Sequence, residues 1–458
     1  MVLAWSTACG ESPPERPPNV LLVSFDTLRA DRVGSYGYDK PITPSLDALA
    51  ARGVVFERAY SPAPSTLLAH ASLLTGLQPD VHSVLAMRDV LSEEITTLAQ
   101  PLRAAGYRTG AFVNCGWLLP SFGFDRGFVT YDFSHDLAVH RKEGTVRFGR
   151  DAQETNRAII TWLEDYPWDH FFLFVHYFDV HSDWQELPYE APPEWQSRFA
   201  VPRPEGFRSG DGEVTASAYL VRMNEQGIRW SSAERAYVES LYDAGVGYVD
   251  AAFGQLLAKL EELDLLDDTL VIVVSDHGEE FQEHGQVLHD QVYEEDVRIP
   301  LIVAFPPRDP GMQKHAGSRW GGIVELVDVV PTVLDYLGIE APKGLQGRSL
   351  LEVLEEKSET NRRVFFRTQI GEQVGMREGR HKLVHQRNSG RTLLFDLDAD
   401  PHEQVDLAAR EPETVARLLR SLAEWQSEAR AHRLAPGVGA EPDPSIVEAL
   451  RALGYAVD

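Results

Sequence analysis

Three runs of apolar residues limit the folds that this 458-residue chain can adopt. A strand with one face in water alternates apolar and polar residues, whereas an uninterrupted apolar run predicts a strand buried on both faces. Segments with helical periodicity lie between the runs, and this alternation indicates a mostly parallel sheet covered by helices on both sides. The runs are NVLLVSF at 19–25, FFLFVHYF at 171–178 and TLVIVV at 269–274. They predict a three-layer α/β/α sandwich around a large, mostly parallel mixed sheet.

The pattern of the chain changes near residue 347. Residues 19–346 carry the strand and helix alternation, and within them the polar stretch 187–227, rich in proline and glycine, is predicted to be an insertion or lid over a site. Residues 347–458 contain short strand patterns separated by turns, which predict a smaller α+β subdomain with an antiparallel sheet. Helices are predicted at 43–52, 67–75, 95–105 and 413–431 and, with breaks at its glycines, at 232–263.

Charge and cysteine content exclude several classes of function. The formal net charge is -27, which disfavours a nucleic-acid partner because phosphate backbones bind basic surfaces. It does not exclude a small anionic substrate, since a metal ion can reverse the local field of a site. Only two cysteines are present, Cys9 and Cys115, so a cysteine-based zinc site cannot form.

The first 18 residues leave the cellular location open. The segment MVLAWSTAC, followed by a proline-rich stretch, resembles the end of a lipoprotein export signal, but its apolar run is short and no basic residues precede it. We expect a periplasmic, extracellular or lipid-anchored protein if this tail is a truncated signal, and a cytoplasmic one otherwise. No later window holds about 18 uninterrupted apolar residues, so no transmembrane segment is expected.

Acidic residues and histidines follow each of the three apolar runs. Asp26 comes directly after the first, Asp179 and His181 follow the second, and Asp276 and His277 follow the third. An aspartate after a strand is often only a turn former. However, parallel strands gather their carboxyl ends at one edge of a sheet, where ligands bind. Carboxylates and imidazoles that converge there predict a divalent metal site.

Seven motifs, in order along nearly the whole chain, resemble those of the sulfatase family in the alkaline phosphatase superfamily. Each motif is weak evidence alone, but the ordered set is specific. The resemblance implies an ester hydrolase of phosphoric or sulfuric esters that holds a metal ion. The motifs are FDTLRADRVGSYGY at 25–38, TPSLDALAARGVVFERAY at 43–60, HASLLTG at 70–76, SDHGEEFQEHG at 275–285, VDVVPTVLDYLGI at 327–339, LQGRSLL at 345–351 and LFDLDADPHEQVDLA at 394–408.

The nucleophile motif departs from the family pattern. Sulfatases carry Cys or Ser, any residue, Pro, any residue and Arg before Ala-Ser-Leu-Leu-Thr-Gly, and the Cys or Ser becomes formylglycine. The same alignment here puts Thr66 at the nucleophile position, Leu68 in place of Pro and His70 in place of Arg. Thr66 therefore resembles the threonine nucleophile of the phosphodiesterases in this superfamily, which attacks phosphorus with the help of a metal. Ser65 is the alternative nucleophile, or a helix cap.

The resemblance assigns metal ligands residue by residue. The resemblance implies one or two metal ions. The ligands that it assigns to the first ion are Asp26, Thr66, Asp276 and His277. His277 stands where calcium-dependent sulfatases have Asn, and an imidazole nitrogen favours Zn²⁺ or Mn²⁺ over Ca²⁺.

Five further residues are assigned supporting roles. His181 matches a histidine that contacts the transferring group or a second metal. His289 matches a residue that faces the leaving group, as a general acid, an electrostatic clamp or a second-metal ligand. Asp179 is either a ligand of that metal or a residue that orients His181. His70 either contacts Thr66 or a substrate oxygen, or is only a helix-face residue. His176, inside the second apolar run, is predicted to be a hydrogen-bonded core histidine.

Three functions remain open on the sequence. The favoured one is hydrolysis of phosphate monoesters, diesters or phosphonates by a threonine nucleophile that a metal activates, on a small anionic ester substrate. The second is sulfuric ester hydrolysis, motivated by the sulfatase motifs along the whole chain. The third is a non-catalytic binding protein on a decayed scaffold, motivated by the absent Arg and by Met87, where relatives often carry a polar Asn.

Overall fold

A computed structural model of the chain describes residues 17–86, 88–133, 150–165, 170–182, 187–199, 201–207, 209, 216–355, 362–369 and 371–437. The predicted export tail and Met87 lie outside these residues, apart from Pro17 and Pro18. The strands are β1 (Asn19–Phe25), β2 (Val54–Tyr60), β3 (Arg108–Val113), β4 (Thr130–Phe133), β5 (Phe171–Tyr177), β6 (Thr269–Ser275), β7 (Glu280–Phe281), β8 (Val287–Leu288), β9 (Arg298–Ile299), β10 (Leu301–Ala304), β11 (Ser318–Glu325), β12 (Arg363–Arg367), β13 (Gln373–Glu378), β14 (His381–Gln386) and β15 (Arg391–Asp396).

The helices differ widely in length. They are α1 (Pro44–Arg52), α2 (Thr66–Thr75), α3 (Pro79–His82), α4 (Ala99–Ala104), α5 (Ala152–Asp165), α6 (Pro193–Arg198), α7 (Ala216–Gln226), α8 (Ser232–Glu262), α9 (Glu294–Val297), α10 (Pro310–Gln313), α11 (Val329–Tyr336), α12 (Leu350–Glu355) and α13 (Pro412–Ala431). Among the described residues, no helix is long and apolar enough to cross a membrane.

A nine-stranded sheet forms the centre of the molecule, in the order β11-β2-β10-β6-β1-β5-β3-β4, with β9 paired to β2. β1 lies between β6 and β5 and is parallel to both. β10 is antiparallel to its neighbours β2 and β6, which makes the sheet mixed. The three apolar runs are therefore adjacent strands in the middle of the sheet, where both faces are buried.

Each face of the sheet has its own apolar core. One core joins Leu22 and Phe174 to α2, α4 and α11, and the other joins Leu21 and Val175 to α1, α5 and α8. Successive residues of a strand point to opposite faces, so an uninterrupted apolar run can supply both cores at once. The predicted three-layer α/β/α sandwich is confirmed.

Residues 363–396 form the predicted antiparallel sheet, in the order β12-β13-β14-β15. α13 packs on one face of this sheet through Leu418 and Leu422. The other face turns toward the large sheet, where Tyr60 packs with Phe366. The smaller subdomain therefore covers one side of the α/β domain next to β2.

Several predicted elements were wrong in extent. α8 runs without a break through Gly245 and Gly247, and a Cβ at Gly247 would lie 3.3 Å from the rings of Phe199 and Trp195. These glycines allow close packing and do not interrupt the helix. The predicted helix at 95–105 begins only at Ala99. The stretch 187–227, predicted to be irregular, contains α6 and α7.

Candidate active site

The first candidate ligands lie at the carboxyl edge of the large sheet. Phe25 of β1 pairs in parallel register with Ser275 of β6, so the residues that follow each strand emerge side by side. His277 Nε2 lies 3.4 Å from Asp276 Oδ2 and 4.0 Å from Asp26 Oδ1. All three side chains are fully buried. The structure thus brings together the two carboxylates and the imidazole that the sequence singled out.

Thr66 meets this group from the other side. It is the first residue of α2, and its hydroxyl oxygen lies 3.4 Å from Asp26 Oδ2 and 3.3 Å from His277 Nε2. Ser65 occupies the N-cap position of α2, but its side chain makes no capping hydrogen bond. The two alternative nucleophiles therefore differ in position: the Thr66 hydroxyl contacts Asp26 and His277, whereas Ser65 caps the start of α2 without a side-chain hydrogen bond.

The tautomer of His277 shows what the group can bind. Its Nδ1–H donates to the carbonyl of Gly278 at 3.0 Å, and burial lowers the pKa of the ring to about 4. The ring is therefore neutral, and the lone pair of Nε2 points toward the carboxylates. Burial also raises the pKa of Asp276, whose Oδ2 accepts no hydrogen bond. Lone pairs that converge in a buried space repel one another unless they share a cation.

Asp26, Asp276 and His277 form one of the groups whose ligand atoms lie within 4.8 Å of one another. We call these residues and Thr66 the ligand cluster. Its donor set of two carboxylates, one imidazole and one hydroxyl fits a divalent ion.

His70 and His176 pack behind the ligand cluster. His70 Nδ1–H donates to the Thr66 carbonyl at 2.8 Å, and its Nε2 accepts from the Ser24 hydroxyl at 3.0 Å. The contact of His70 is thus with the backbone of Thr66. His176 Nε2–H donates to Asp26 Oδ2 at 3.0 Å. The core position predicted for His176 is confirmed, but its partner is a candidate ligand carboxylate, a link that sequence reasoning missed.

The signal for His176 was present in the strand pattern. Ser24 and His176 are paired in register on β1 and β5, so both point to the same face of the sheet, toward His70 on α2. A polar residue in each of two neighbouring apolar strands indicates a buried polar layer, because an isolated buried polar group is costly.

His181 and His289 form a second pair beside the first group. Their Nε2 atoms are 3.3 Å apart, and His289 Nδ1–H donates to the Pro64 carbonyl at 3.3 Å. The ring of His289 lies 4.2 Å from that of His277, and Phe178 stacks on His181. Two nitrogens bound to one tetrahedral Zn²⁺ at about 2.0–2.1 Å lie roughly 3.4 Å apart, so the pair also fits a shared ion.

Asp179 contacts a different element. Its Oδ1 accepts a hydrogen bond from the backbone N–H of Ala152, the first residue of α5, at 3.2 Å. A carboxylate in this position satisfies an unpaired N–H of the first helical turn. The role of Asp179 as a metal ligand or as a residue that orients His181 stays a prediction.

Thr27, next to Asp26, has a left-handed backbone conformation with a φ of 55°. This conformation is unfavourable for a β-branched residue and costs about 1–3 kcal/mol. Two hydrogen bonds hold it: the Thr27 N–H donates to Asp276 Oδ1 at 3.2 Å, and the Thr27 carbonyl accepts from the Tyr242 hydroxyl at 2.6 Å. The turn after β1 is therefore fixed to the turn after β6, which fixes the relative positions of Asp26 and Asp276.

A mixed α/β sheet that gathers carboxylates, imidazoles and a hydroxyl at its carboxyl edge is typical of a hydrolase that works with a metal ion. Comparison with known proteins identifies the class: the chain belongs to the sulfatase family. The family model for the sulfatase domain matches residues 18–339, and the model for the C-terminal region of N-sulphoglucosamine sulphohydrolase matches residues 282–428. The protein is thus an ester hydrolase of the alkaline phosphatase superfamily.

The similar proteins differ in the substrates that their names state. An arylsulfatase of Clostridium perfringens is 24% identical, covering 85% of this chain and 90% of its own length. The multifunctional alkaline phosphatase superfamily protein PehA of Trinickia caryophylli is 27% identical, covering 85% and 91%. The solved phosphonate monoester hydrolase of Agrobacterium radiobacter is 24% identical and covers 91% of this chain and 96% of its own, with a TM-score of 0.69. The chain is thus similar in sequence to an arylsulfatase and to PehA, and in fold to a phosphonate monoester hydrolase.

Proposed function

We propose that this protein hydrolyses phosphate monoesters, diesters or phosphonates, with Thr66 as the nucleophile. The observation that carries the proposal is the position of the Thr66 hydroxyl, 3.4 Å from Asp26 Oδ2 and 3.3 Å from His277 Nε2. A free hydroxyl is a poor nucleophile, and it needs a neighbour that lowers its pKa. Proteins of the sulfatase family bind a divalent metal, and an ion held by the ligand cluster would lie next to this hydroxyl.

We propose Zn²⁺ or Mn²⁺ in the ligand cluster, in preference to Ca²⁺. Calcium binds six to eight oxygens, whereas the His277 nitrogen suits a transition metal. When bound, the ion lowers the pKa of the Thr66 hydroxyl and neutralises charge on the reacting group. The His181 and His289 pair would hold a second ion, or would contact the reacting group directly.

The chain's own residues fix the geometry of the reaction. The Thr66 hydroxyl attacks phosphorus and forms a new P–O bond, while the bond from phosphorus to the ester oxygen breaks. The Thr66 proton passes to that ester oxygen, which leaves as the alcohol. Water then attacks the phosphorylated Thr66, the bond between phosphorus and the Thr66 oxygen breaks, and the hydroxyl is restored. His70 holds the Thr66 backbone in place, and His176 orients Asp26.

Sulfuric ester hydrolysis is the second candidate. It is favoured by the sulfatase family models and by the arylsulfatase among the similar proteins. Against it stands the chemistry of the second step, because a sulfated threonine is hard to discharge, whereas formylglycine releases sulfate by elimination. Family membership as an ester hydrolase favours both candidates over the non-catalytic alternative.

The test compares Thr66→Ala with Ser65→Ala, the change at the adjacent N-cap position of α2. A panel of aryl phosphate monoester, phosphodiester, phosphonate monoester and sulfate identifies the best substrate, and the metal content is measured on the same samples. We expect Thr66→Ala to lower kcat roughly 1,000-fold or more, and Ser65→Ala to lower it less than about threefold. Mass spectrometry of quenched wild-type enzyme should show the phosphoryl group, or for a phosphonate substrate the phosphonyl group, on Thr66.

Full activity of Thr66→Ala on the best substrate would contradict the proposed nucleophile. Faster turnover of the aryl sulfate than of every phosphorus ester would favour the second candidate. Retained metal in Thr66→Ala with lost activity would support a role in attack rather than in holding the ion alone.

A further inference from the structure

Three arginines from separate parts of the chain lie together at one edge of the small sheet. Arg367 is the last residue of β12, Arg387 follows β14, and Arg433 follows α13. We call them the arginine cluster. A Cβ placed on Gly371 would be 2.9 Å from Arg367 Nη2 and 3.3 Å from Arg387 Nη1, so both guanidinium groups lie against this glycine. Gly371 has a φ of 70°, and a side chain there would meet both groups.

The cluster carries more positive charge than its neighbours balance. Arg367 Nη1 pairs with Asp80 Oδ1 at 2.8 Å. Burial lowers the pKa of Arg367, Asp80 raises it, and Arg387 and Arg433 lower it further. Asp80 is the one carboxylate that pairs with any of the three arginines among the residues that the structure describes. This is unusual in a protein with a net charge of -27, where acidic partners are abundant.

The other two arginines of the cluster, Arg387 and Arg433, have side chains that are open to solvent. Arg433 donates from Nε to the Ser83 hydroxyl at 3.0 Å, and Arg387 and Arg433 are both exposed. His82 adds no charge, because burial and then Arg367 lower its pKa to about 3. Like charges held close together repel, and an oxyanion between them would relieve that repulsion.

Two contacts connect the strands beside the arginine cluster to segments that carry candidate active-site residues. The backbone N–H of Arg367 donates to the Pro62 carbonyl at 3.0 Å, and from Pro62 to Thr66 the chain can span at most about 14 Å. Gln373, at the start of β13, donates to the Gln291 side chain at 3.3 Å, and Gln291 is two residues beyond His289. The ends of β12 and β13 that flank this turn thus contact the segment just before Thr66 and the segment just after His289.

We propose that the arginine cluster binds a second oxyanion of the substrate, a carboxylate, sulfate or phosphate separate from the ester that is hydrolysed. This deepens the proposed function and rests on it. Planar guanidinium groups match the geometry of such anions with paired N–H donors, and solvent exposure lets a substrate reach them. The enzyme would then prefer esters that carry two anionic groups over otherwise identical esters that carry one.

The test uses pairs of aryl phosphonate monoesters. The leaving group of each pair ends in a carboxylate or in the uncharged carboxamide, on a short two-atom or a long six-atom tether. The quantity measured is the ratio of kcat/KM for carboxylate to carboxamide. We expect a wild-type ratio well above one for at least one tether, falling as ionic strength rises because the pairing is partly exposed.

Arg387→Gln and Arg433→Gln are the variants, because both side chains are exposed and should tolerate the change. We expect each to lower the ratio about fivefold, and the double variant about 25-fold, as for partly exposed ion pairs. Arg410→Gln, an exposed arginine elsewhere in the small subdomain, is the matched control and should keep the wild-type ratio.

A wild-type ratio near one for both tethers would overturn the proposal, as would equal ratios in Arg387→Gln, Arg433→Gln and Arg410→Gln. If no phosphonate is turned over, calorimetric binding of benzylphosphonate with and without a para carboxylate replaces the kinetic ratio. Loss of turnover with a retained preference in binding would contradict the proposed function alone. Equal binding of the two ligands would overturn the proposal that the arginine cluster binds a second oxyanion.

Discussion

Two groups of acidic side chains in the interior of this molecule differ in the partners that balance their negative charge. In the ligand cluster, Asp26 and Asp276 are fully buried beside the neutral His277 and the Thr66 hydroxyl. Between the subdomains, Glu403 is buried and Glu294 is mostly buried, with 10% of its side chain exposed, and Lys382 lies between them. The second group contains two cations of its own, Lys382 and Arg377, whereas the ligand cluster consists of two carboxylates, an imidazole and a hydroxyl.

The group between the subdomains is complete within the chain. Lys382 Nζ lies 3.0 Å from Glu294 Oε1 and 3.1 Å from Glu403 Oε1, and Arg377 Nη1 lies 3.6 Å from Glu294 Oε2. We call these four residues the lysine cluster. The Glu294 N–H donates to Glu403 Oε2 at 2.6 Å, which adds a backbone link between the subdomains. Buried carboxyl groups of this kind are tolerated because a cation and hydrogen bonds lie next to them.

The contrast teaches how to read a buried carboxylate. Where a lysine or arginine is the partner, the group is explained by the stability of the fold. In the ligand cluster the carboxylates lie beside the neutral His277, whose Nε2 lone pair faces them, and this donor set suits the divalent metal that sulfatase family proteins bind. His284, Glu295 and Glu403 also lie close enough to hold an ion, but there Glu403 already pairs with Lys382. The comparison therefore favours the ligand cluster as the metal site.

The largest expected effect comes from removing one carboxylate of the ligand cluster. Asp276→Asn should lower kcat/KM roughly 10,000-fold, about 5 kcal/mol of transition-state stabilisation, and should abolish tight metal binding. Metal analysis and kinetics check this, with Asp165→Asn at the exposed end of α5 as the control. A wild-type metal content in Asp276→Asn would contradict the assignment of the ligand cluster as the metal site.

In the lysine cluster the same kind of change should act on stability instead of activity. Lys382→Met leaves Glu294 and Glu403 without their shared cation and should lower the free energy of unfolding by about 3–5 kcal/mol. Urea denaturation measures this loss, and the exposed Lys343→Met should cost less than about 0.5 kcal/mol. A loss for Lys382→Met no greater than that of the control would mean that the cluster is not needed for the fold.

Sequence patterns anticipated the middle of the fold better than its edges. β1, β5 and β6 were predicted because burial on both faces removes the alternation of polar and apolar residues. β13, with the sequence QVGMRE, and β11, with SRWGGIVE, were missed because glycine and charged residues interrupt their patterns. Such strands form because their neighbours pair with them, and that is a tertiary effect.

The candidate site shows the same division. Asp26, Asp276 and His277 could be named because each follows an apolar run. The contact of His176 with Asp26 could not, since it depends on how β5 is placed against β1. The arginine cluster has no local pattern at all, because its members are 20 or more residues apart in the sequence and meet only after folding.

Removal of the metal should sharpen the contrast further. A chelator should lower the free energy of unfolding of the wild type by about 3 kcal/mol, the linkage expected when the free ion exceeds its dissociation constant by about 100-fold. The same chelator should leave Asp276→Asn unchanged, because that variant has no tight site to empty. Thermal unfolding with and without chelator measures both. Equal shifts in the two proteins would place the stabilising ion elsewhere.

The smallest effect is expected for Glu294→Gln in the lysine cluster, and it depends on pH. The pKa of Glu403 is raised to about 8, chiefly by burial. The carboxylates of Glu294 and Glu295 also raise this pKa, and the Lys382 ammonium group lowers it. The folded state therefore binds more protons than the unfolded state between about pH 4.5 and 8, so this group's contribution to stability falls as pH rises through that window.

Glu294→Gln removes one source of the raised pKa and lets Glu403 ionise beside Lys382. We expect a cost of only about 1 kcal/mol at pH 7 and a flatter dependence of unfolding free energy on pH than in the wild type. Urea titrations at pH 5, 6, 7 and 8 test this, and a steeper dependence in the variant would mean that Glu294 stabilises the ionised form of Glu403, contrary to the like-charge repulsion on which the prediction rests.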